Sequence, residues 1–454
     1  MCVNAHALGS TGGLTDTSQL NRTPRCGPLR SRLRTLAAAR GPVTKLTDLV
    51  SFNDRALAAR FAAKKIPMDT LFEAYLDGDI DIPDMDAFLD ARGGLVNFTL
   101  TRRHWEFFFT RMIPEVAIHS KEQDKRLVTE HYDRGDDFFE SFLGDRMVYT
   151  SAFFQDKDES LEQAQDNKMN LVCRKLMVRP GDEVLDIGCG WGTLALHAAK
   201  HFGAHSTGIT ISKNQTAYGN ARIAKAGLSD KARIDCLDYR DIPNKRFDRI
   251  SSLEMVEHVG IKNINKFCRQ IYSLLKDDGL FLLQWVGLRR GGKEGVPLVG
   301  LRPEDLIWGL FMNKYIFAGA DASLPLSDMT LALEKAGFQI QSVENISIHY
   351  ALTIKAWHDN WQKNRAAVLK TYGERWYRLW HLFLGWSWRI AAQGTGQGFQ
   401  LVAHKNLNSF DRTVFIGKSQ FGAQHATNGH AHHGDPARPT AAGRNGKSHV
   451  ADAE

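Results

Sequence analysis

The chain has 454 residues, of which 43% are hydrophobic and 10% aromatic, and it carries a net charge of +7. This length and composition predict a folded core, arranged as two or three domains or as one large domain with additions. Six of the seven net positive charges lie in residues 1–45, so the nearly neutral remainder argues against a nucleic-acid partner. The six cysteines form no C-x-x-C pair and no metal-ligand spacing, which is typical of a reducing compartment and predicts no metal site.

The first part of the chain divides in two. Residues 1–44 combine Gly, Pro, Ser and Arg without periodicity, which predicts a disordered basic leader; the acid-poor, Arg-rich composition also resembles an organelle transit peptide. Residues 45–129 repeat apolar residues at helical spacing and are predicted as an N-terminal helical region. For the apolar face of this region, which includes the aromatic stretch Phe98–Ile118, we favour packing on the next domain over membrane contact.

From residue 130 to residue 405, strand and helix patterns alternate at the pitch of βαβ units. This alternation predicts an α/β fold with a doubly wound sheet, completed by antiparallel strands at Phe338–Tyr350 and Phe399–Ala403. Residues 406–454 are rich in Gly, Ala, His and Asn and are predicted as a disordered tail. The predicted parallel strands are Glu183–Ile187, His205–Thr210, Ala232–Leu237, Phe247–Ser252 and Leu280–Val286.

The segment Val184–Gly192, V-L-D-I-G-C-G-W-G, predicts a buried strand that runs into a tight turn and a helix. Its glycines allow a backbone to approach a ligand, and the helix start presents free N–H groups. The spacing G-x-G-x-G is not that of dinucleotide cradles. Together with Asp186 it resembles the first motif of class I S-adenosylmethionine (SAM) methyltransferases. The alternative is a glycine-rich turn of any α/β sheet.

Several side chains are predicted at the carboxyl ends of the central strands, where a doubly wound sheet binds nucleosides. Asp238 follows the third strand and is placed to meet an adenine amine, while Glu254 and Glu257 follow the fourth. Aromatic side chains around the predicted pocket could shelter the carbocation that methylation of an alkene produces, or could be plain core. These aromatic residues are Tyr132, Phe138, Tyr149, Trp308, Phe311, Tyr315, Phe317 and Tyr350.

Ordered motifs between residues 130 and 406 resemble the cyclopropane-fatty-acyl-phospholipid synthase family, which is SAM-dependent and methylates double bonds in lipid chains. They are His131–Phe139, Met147–Ser151, L-D-I-G-C-G-W-G, Gly208–Gln215 and Glu257–Gly260. Three more segments are similar to the fungal-type sphingolipid C9-methyltransferases within it: Met112–Val116, Glu304–Ser323 and His349–Thr353. The resemblance implies a class I SAM-methyltransferase (Rossmann-like) fold with an N-terminal helical region and helical lid insertions.

The motifs and the resemblance together imply the residues that contact SAM. They are Tyr149, Thr150, Asp186, Gly188, Cys189, Gly190, Trp191, Gly192, Thr210, Ile211, Ser212, Lys213, Asn214, Gln215, Asp238 and Tyr239.

The resemblance also implies a catalytic set. Cyclopropane synthases hold a bicarbonate ion, thought to act as the base, through a cysteine backbone, a glutamate, a histidine and a tyrosine. Glu257 and Tyr350 match two of these ligands, whereas Ser151 replaces the cysteine and Gln284 replaces the histidine. These departures fit a different fate of the carbocation that methylation of the double bond produces. Ring closure removes a proton from the added methyl group, whereas branching removes one from an adjacent chain carbon.

The predicted function is therefore SAM-dependent C-methylation of a lipid alkene, foremost the sphingoid base of ceramide or glucosylceramide, with bicarbonate as a candidate second cofactor. The alternatives are a cyclopropane synthase, a methyltransferase for small soluble acceptors and a non-catalytic SAM- or lipid-binding relative. The predicted partners are a membrane lipid and a membrane surface, with peripheral attachment and the endoplasmic reticulum as one candidate location.

No stretch of the sequence approaches the roughly 18 uncharged apolar residues of a membrane span. Membrane access is instead predicted through the helical stretch Thr353–Ile390, where six of the ten tryptophans are interleaved with Lys and Arg. The alternative is that this stretch simply covers the active site.

Overall fold

The structure is a computed structural model that describes residues 45–417, except residues 113–121, 124–125, 127–134, 297–299 and 321–323. The predicted leader and residues 418–454 of the predicted tail lie outside the described residues. So do parts of three motifs, namely residues 131–134, 113–116 and 321–323.

Strands and helices alternate through most of the described chain. The strands are β1 (Ser51–Phe52), β2 (Ile66–Pro67), β3 (Ile80–Asp81), β4 (Val96–Asn97), β5 (Glu183–Ile187), β6 (His205–Thr210), β7 (Ala232–Cys236), β8 (Phe247–Leu253), β9 (Leu275–Leu288), β10 (Phe338–Asn345) and β11 (Gly396–Lys405). The α-helices are α1 (Leu46–Leu49), α2 (Arg55–Phe61), α3 (Met68–Asp77), α4 (Met85–Leu95), α5 (Arg102–Phe107), α6 (Asp136–Leu143), α7 (Leu161–Lys175), α8 (Thr193–Phe202), α9 (Lys213–Lys225), α10 (Ile264–Leu274), α11 (Pro303–Tyr315), α12 (Leu326–Ala336), α13 (Ser347–Lys363), α14 (Arg365–Tyr372) and α15 (Glu374–Ala392). A π-helix, Phe108–Met112, continues α5.

Strands β5 to β11 form one seven-stranded sheet in the order β10-β11-β9-β8-β5-β6-β7. The pairs among β5 to β9 are parallel, whereas β11 runs antiparallel to both β9 and β10. The strand order reverses at β5, whose neighbours are β6 and β8, so a crevice opens beyond its carboxyl end. This topology confirms the predicted doubly wound sheet with an antiparallel edge.

Helices cover both faces of the sheet, because its central strands carry apolar side chains on both sides. In β9, Leu282 belongs to the core cluster beneath α7 and α8, and its neighbour Leu283 belongs to the cluster beneath α10 and α12. The alternation of successive side chains therefore fixes two separate cores, one on each face.

The N-terminal helices α1 to α4 share one hydrophobic core with α6, α13 and α15. Buried Arg389 on α15 ties the two parts together, since its guanidinium donates to Asp90 at 2.5 Å and to Asp86 at 3.0 Å on α4. For this part of the N-terminal region the packing interpretation is confirmed. The two-residue pairings β1–β3 and β2–β4 are too short for the sequence pattern to indicate.

The tryptophan-rich stretch Thr353–Ile390 lies mainly inside the protein. Trp357 is 2% exposed, and Trp361, Trp380 and Trp386 are fully buried. They belong to the core cluster shared with the N-terminal helices, which the sequence alone did not place there. The prediction that this stretch provides membrane access is therefore wrong for these four side chains. No described helix has the length and apolar character needed to cross a membrane.

Among the predicted boundaries that differ from the structure, two change the description of the chain. Strand β10 ends at Asn345. The side-chain oxygen of Asn345 accepts two hydrogen bonds from Ser347, one from its backbone N–H at 2.9 Å and one from its hydroxyl at 2.6 Å. Such an Asx turn redirects the chain into α13, so Tyr350 lies on a helix rather than on the predicted strand. Residues 406–417, assigned above to a disordered tail, are packed against the sheet: Phe410 is 8% exposed and stacks on His404 at 3.8 Å.

Candidate active site

A cavity lies beyond the carboxyl ends of β5, β6 and β8, and we call it the cofactor cavity. Twelve of the sixteen predicted SAM-contacting residues line it. Gly192, Ser212, Lys213 and Asn214 do not. The predicted residues that line it are Tyr149, Thr150, Asp186, Gly188, Cys189, Gly190, Trp191, Thr210, Ile211, Gln215, Asp238 and Tyr239.

The turn after β5 needs glycine at two positions. Gly188 has a φ of +76°, and a Cβ built there would lie 2.5 Å from Cγ of Met255. Gly192 also has a φ of +76°, and its Cβ would lie 2.7 Å from Cδ1 of Ile234. Gly188 thus allows Met255, which lines the cofactor cavity, to pack against the turn, whereas Gly192 allows α8 to pack on β7.

Asp186 and Lys168 form the polar floor of this cavity. Asp186 is 3% exposed and accepts a hydrogen bond from the Ser251 hydroxyl at 2.8 Å; burial raises the pKa of its carboxyl to about 6. Lys168 on α7 is 1% exposed, and its ammonium donates to the Thr150 hydroxyl. Lys168 could not be predicted as a site residue, since its only signal in the sequence is a charged residue on the apolar face of a predicted helix.

The residues that follow β6 are hydrogen-bonded to one another, and so are the residues that follow β7. Ser212 caps α9 by accepting the N–H of Gln215 at 3.3 Å, and the Thr210 hydroxyl donates to the Gln215 side chain at 2.7 Å. Asp238 is bound by both sides of the Arg240 guanidinium, at 2.8 and 2.6 Å. The expected contact of Asp238 with an adenine amine would therefore have to share a carboxylate that already carries a cation.

Helix α6 contacts the glycine turn after β5 through the side chain of Trp191. The indole N–H of Trp191 donates to Asp136 at 2.7 Å, and its ring lies 5.0 Å from that of Phe139. Both partners belong to the D-D-F-F part of the first family motif, so this part of the motif supports the turn through Trp191 rather than by lining the cavity.

A second cavity adjoins the first, and we call it the acceptor cavity. Its walls come from β9, α11, α13 and α15 and are mostly apolar, including Trp308, Phe317, Ile354 and Phe383. The two cavities share Tyr149, Glu254 and His258, which define their junction. Of the predicted catalytic residues, Glu257 and Tyr350 line the acceptor cavity, whereas Ser151 and Gln284 line neither cavity.

Glu254 is the centre of a buried polar cluster at the junction. Its Oε1 accepts the backbone N–H of Ser151 at 2.9 Å and the side-chain amide of Gln284 at 2.6 Å. Glu254 has a φ of +52°, unusual for a residue other than glycine, and its own N–H donates to the Gln284 carbonyl at 2.8 Å. Ser151 and Gln284 are thus brought together as predicted, but around a protein carboxylate.

These residues do not fit a bicarbonate ion. The two donors that the resemblance assigns to the ion are engaged by Glu254, and a second anion beside a buried carboxylate would be repelled. We therefore derive no step through bicarbonate.

Glu257 stands apart from this cluster. Its Oε1 accepts the backbone N–H of Val286 at 2.7 Å, while its buried Oε2 has no hydrogen-bond partner within the described residues. Burial, and after it the charge of Glu254, raise the pKa of Glu257 to about 8. Glu257 is therefore protonated at neutral pH.

A glycine turn at the strand-order reversal and an apolar cavity beside it define the class I SAM-methyltransferase fold. The family model described as mycolic acid cyclopropane synthetase matches residues 119–401. The chain belongs to this family and is a methyltransferase, which confirms the family and the fold class predicted from the sequence.

Individual relatives agree with the family model. A sphingolipid C9-methyltransferase from Komagataella phaffii is 48% identical over 81% of this chain and 76% of its own length. Sphingolipid C9-methyltransferase A from Emericella nidulans is 46% identical over 84% of this chain and 72% of its own length. Among solved structures, the cyclopropane synthase MmaA2 from Mycobacterium tuberculosis is 27% identical, with a TM-score of 0.59, covering 62% of this chain and 98% of that one.

Proposed function

We propose that this protein transfers the methyl group of SAM to a carbon–carbon double bond in a lipid, namely the sphingoid base of a ceramide or glucosylceramide. The observation that carries the proposal is the junction of the two cavities at Tyr149, Glu254 and His258. A methyl group held there faces an apolar cavity suited to a hydrocarbon chain. The sphingolipid C9-methyltransferases that match most of this chain support the choice of lipid.

The cofactor cavity fits SAM, because open space lies beside Gly190 in its turn and polar side chains such as Asp186 and Thr210 line it. When bound, SAM supplies an electrophilic methyl group on a sulfonium centre. In the acceptor cavity the rings of Tyr149 and Trp357 lie 5.4 Å apart, and their π faces stabilise the cation left on the lipid. The apolar walls keep water from this cation. Glu257 and Tyr350 line the same cavity, and we propose that they position the base.

Lipid mass spectrometry tests this function in a host that lacks methylated sphingolipids. Expression of the full chain is expected to yield a methyl-branched sphingoid base, while Gly188→Val, whose side chain would collide with Met255 at the wall of the cofactor cavity, yields none. A cyclopropane acyl chain in the extract would instead support the cyclopropane synthase alternative. SAM binding without any methylated lipid would support the non-catalytic alternative.

We also propose that the protein works at a membrane surface. Trp105 on α5 is 47% exposed and Phe109 on the following π-helix is 62% exposed, and their rings are stacked 6.0 Å apart. Exposed arginines flank them at positions 102, 103 and 111. Aromatic rings between arginines suit the interface of an anionic bilayer. We call Arg102–Met112 the docking segment.

The docking segment ends at the substrate site, since Met112 lines the acceptor cavity. A bilayer that receives Trp105 and Phe109 would therefore lie beside the cavity that takes the lipid. This continuity favours membrane docking over a purely structural role for the two exposed rings. It also moves the proposed membrane contact away from Thr353–Ile390.

The double variant Trp105→Ser/Phe109→Ser is expected to bind vesicles of phosphatidylcholine and phosphatidylserine at least tenfold more weakly. The reason is that each exposed ring contributes about 1.5 kcal/mol or more when it leaves water. Cosedimentation with vesicles provides the measurement. Leu331→Ser on α12 is the matched control, because Leu331 is 49% exposed and lies outside the docking segment. Equal binding by the double variant and the control would contradict membrane docking by this segment.

A further inference from the structure

Glu254 occupies the place that the family resemblance gives to a bound anion. The Ser151 N–H and the Gln284 amide correspond to bicarbonate ligands in that resemblance. In the structure both donate to Oε1 of Glu254, at 2.9 and 2.6 Å. The donor set is therefore retained for a carboxylate, and this carboxylate is covalently part of the chain.

A chain of buried polar groups fixes the direction of the Gln284 amide. The Lys175 ammonium can only donate, and it donates to the side-chain oxygen of Gln400 at 2.5 Å. The Gln400 amide nitrogen must then donate onward, and it does so to the Gln284 oxygen at 2.9 Å. The Gln284 nitrogen is left to face Glu254. Glu344 pairs with Lys175 at the far end, so the orientation rests on a compensated buried charge.

The same carboxyl group has the environment of a base. Burial raises the pKa of Glu254, but the Ser151 N–H, the Gln284 amide and the positive charge of Lys168 oppose that rise. Glu257 accepts the Val286 N–H, but the charge that acts on it is that of Glu254, and its pKa is raised to about 8. Where two neighbouring carboxyl groups have environments of this kind, the one whose charge is better compensated is the proton acceptor. Of the two, Glu254 lines both cavities and Glu257 lines the acceptor cavity alone.

We propose that Glu254 is the general base of the methyl transfer and that the enzyme needs no bicarbonate. This rests on the function proposed above. The bond between sulfur and methyl breaks, its electrons remain on sulfur, and the π electrons of the lipid form the new C–C bond. The methylated carbon then loses a proton, and the electron pair of that C–H bond restores the double bond to the adjacent cationic carbon. The proton passes to the carboxylate of Glu254, from which water removes it. Ser151 and Gln284 are positioning residues.

Glu254→Gln tests the base with little change in shape. We expect its rate of lipid methylation to fall at least a hundredfold, as loss of a general base typically causes, while its affinity for SAM stays within threefold. Glu254→Asp, which keeps a carboxylate, is expected to retain more activity than Glu254→Gln. Glu334→Gln, on the exposed side of α12, is the control and keeps the wild-type rate. A rate for Glu254→Gln within threefold of wild type overturns the proposal.

The wild-type enzyme gives a second test that does not depend on the folding of a variant. Its rate in degassed, bicarbonate-free buffer is expected to equal its rate after addition of bicarbonate. A loss of activity on bicarbonate removal that is restored on addition overturns the proposal. Both tests use the methylated lipid formed by the wild-type protein as their reference. Absence of that product would contradict the proposed function itself, whatever the role of Glu254.

Discussion

Replacement of Lys168 by methionine is expected to lower the free energy of unfolding by about 3 kcal/mol at pH 7, because it removes one partner of a buried charge cluster. Lys168 is 1% exposed, and its charge acts on both Asp186 and Glu254. Methionine fills a similar volume but leaves two buried carboxyl groups without their cation, and it removes the hydrogen bond to Thr150. Lipid methylation should fall at least a hundredfold, since Glu254 then prefers the protonated form.

The pH dependence of the destabilisation by Lys168→Met distinguishes the loss of charge interactions from a loss of packing. Without Lys168 the pKa values of Asp186 and Glu254 rise further in the folded state. A raised carboxyl pKa gives stability that is present at low pH and lost as pH increases. The deficit of the variant should therefore grow between pH 5 and pH 7, an interval that lies below the pKa of Lys168, which burial lowers to about 8. Denaturant titrations at both pH values measure it, with Lys200→Met on the exposed side of α8 as the control. A deficit below 1 kcal/mol at pH 7 would show that Lys168 is not an essential counter-charge.

The sheet and its ligand-binding edge could be predicted from local patterns. The bounds of β5 and β6 agree with the prediction to the residue, because turn glycines or a helix cap lie at their ends: Gly181 and Gly188 around β5, Gly203 and Ser212 around β6. The glycine turn could be predicted as well, since few residues other than glycine tolerate the φ that the turn requires. Of the twelve predicted cofactor residues that line the cavity, ten lie at or after the ends of parallel strands that meet at one edge; the other two, Tyr149 and Thr150, were identified by resemblance.

The polar cluster at the junction could not be predicted, because it depends on contacts between distant parts of the chain. Ser151 and Gln284 were identified by resemblance, but nothing local shows that both bind Glu254. Lys168 lies on α7, whereas Asp186 lies in β5 and Glu254 follows β8, so no local pattern links the three residues. The burial of the tryptophans in α13 and α15 depends likewise on the N-terminal helices packed against them. Composition alone cannot separate an aromatic core from an interfacial helix.

Replacement of Glu257 by glutamine is expected to make the protein progressively more stable than wild type as pH rises from 4.5 to 8. The pKa of Glu257 is raised from 4.5 to about 8, first by burial and then by Glu254. Its contribution to stability is therefore complete below the unfolded pKa of 4.5 and is lost as pH rises through the folded pKa of about 8. At about 1.4 kcal/mol per pKa unit, the wild type loses up to about 5 kcal/mol across this interval.

Glutamine resembles the protonated carboxyl group and carries no charge. The variant therefore does not lose this part of its stability as pH rises. Its oxygen can still accept the N–H of Val286, as Oε1 of Glu257 does at 2.7 Å. Denaturant unfolding at pH 5, 6, 7 and 8 measures the difference, with Glu140→Gln on the exposed face of α6 as the control. A constant difference across this range would mean that Glu257 is ionised throughout. If Glu257 positions the base, the more stable variant should nevertheless methylate lipid at least tenfold more slowly. Full methylation by Glu257→Gln would remove Glu257 from the catalytic machinery and leave Glu254 as the carboxyl group on which the reaction depends.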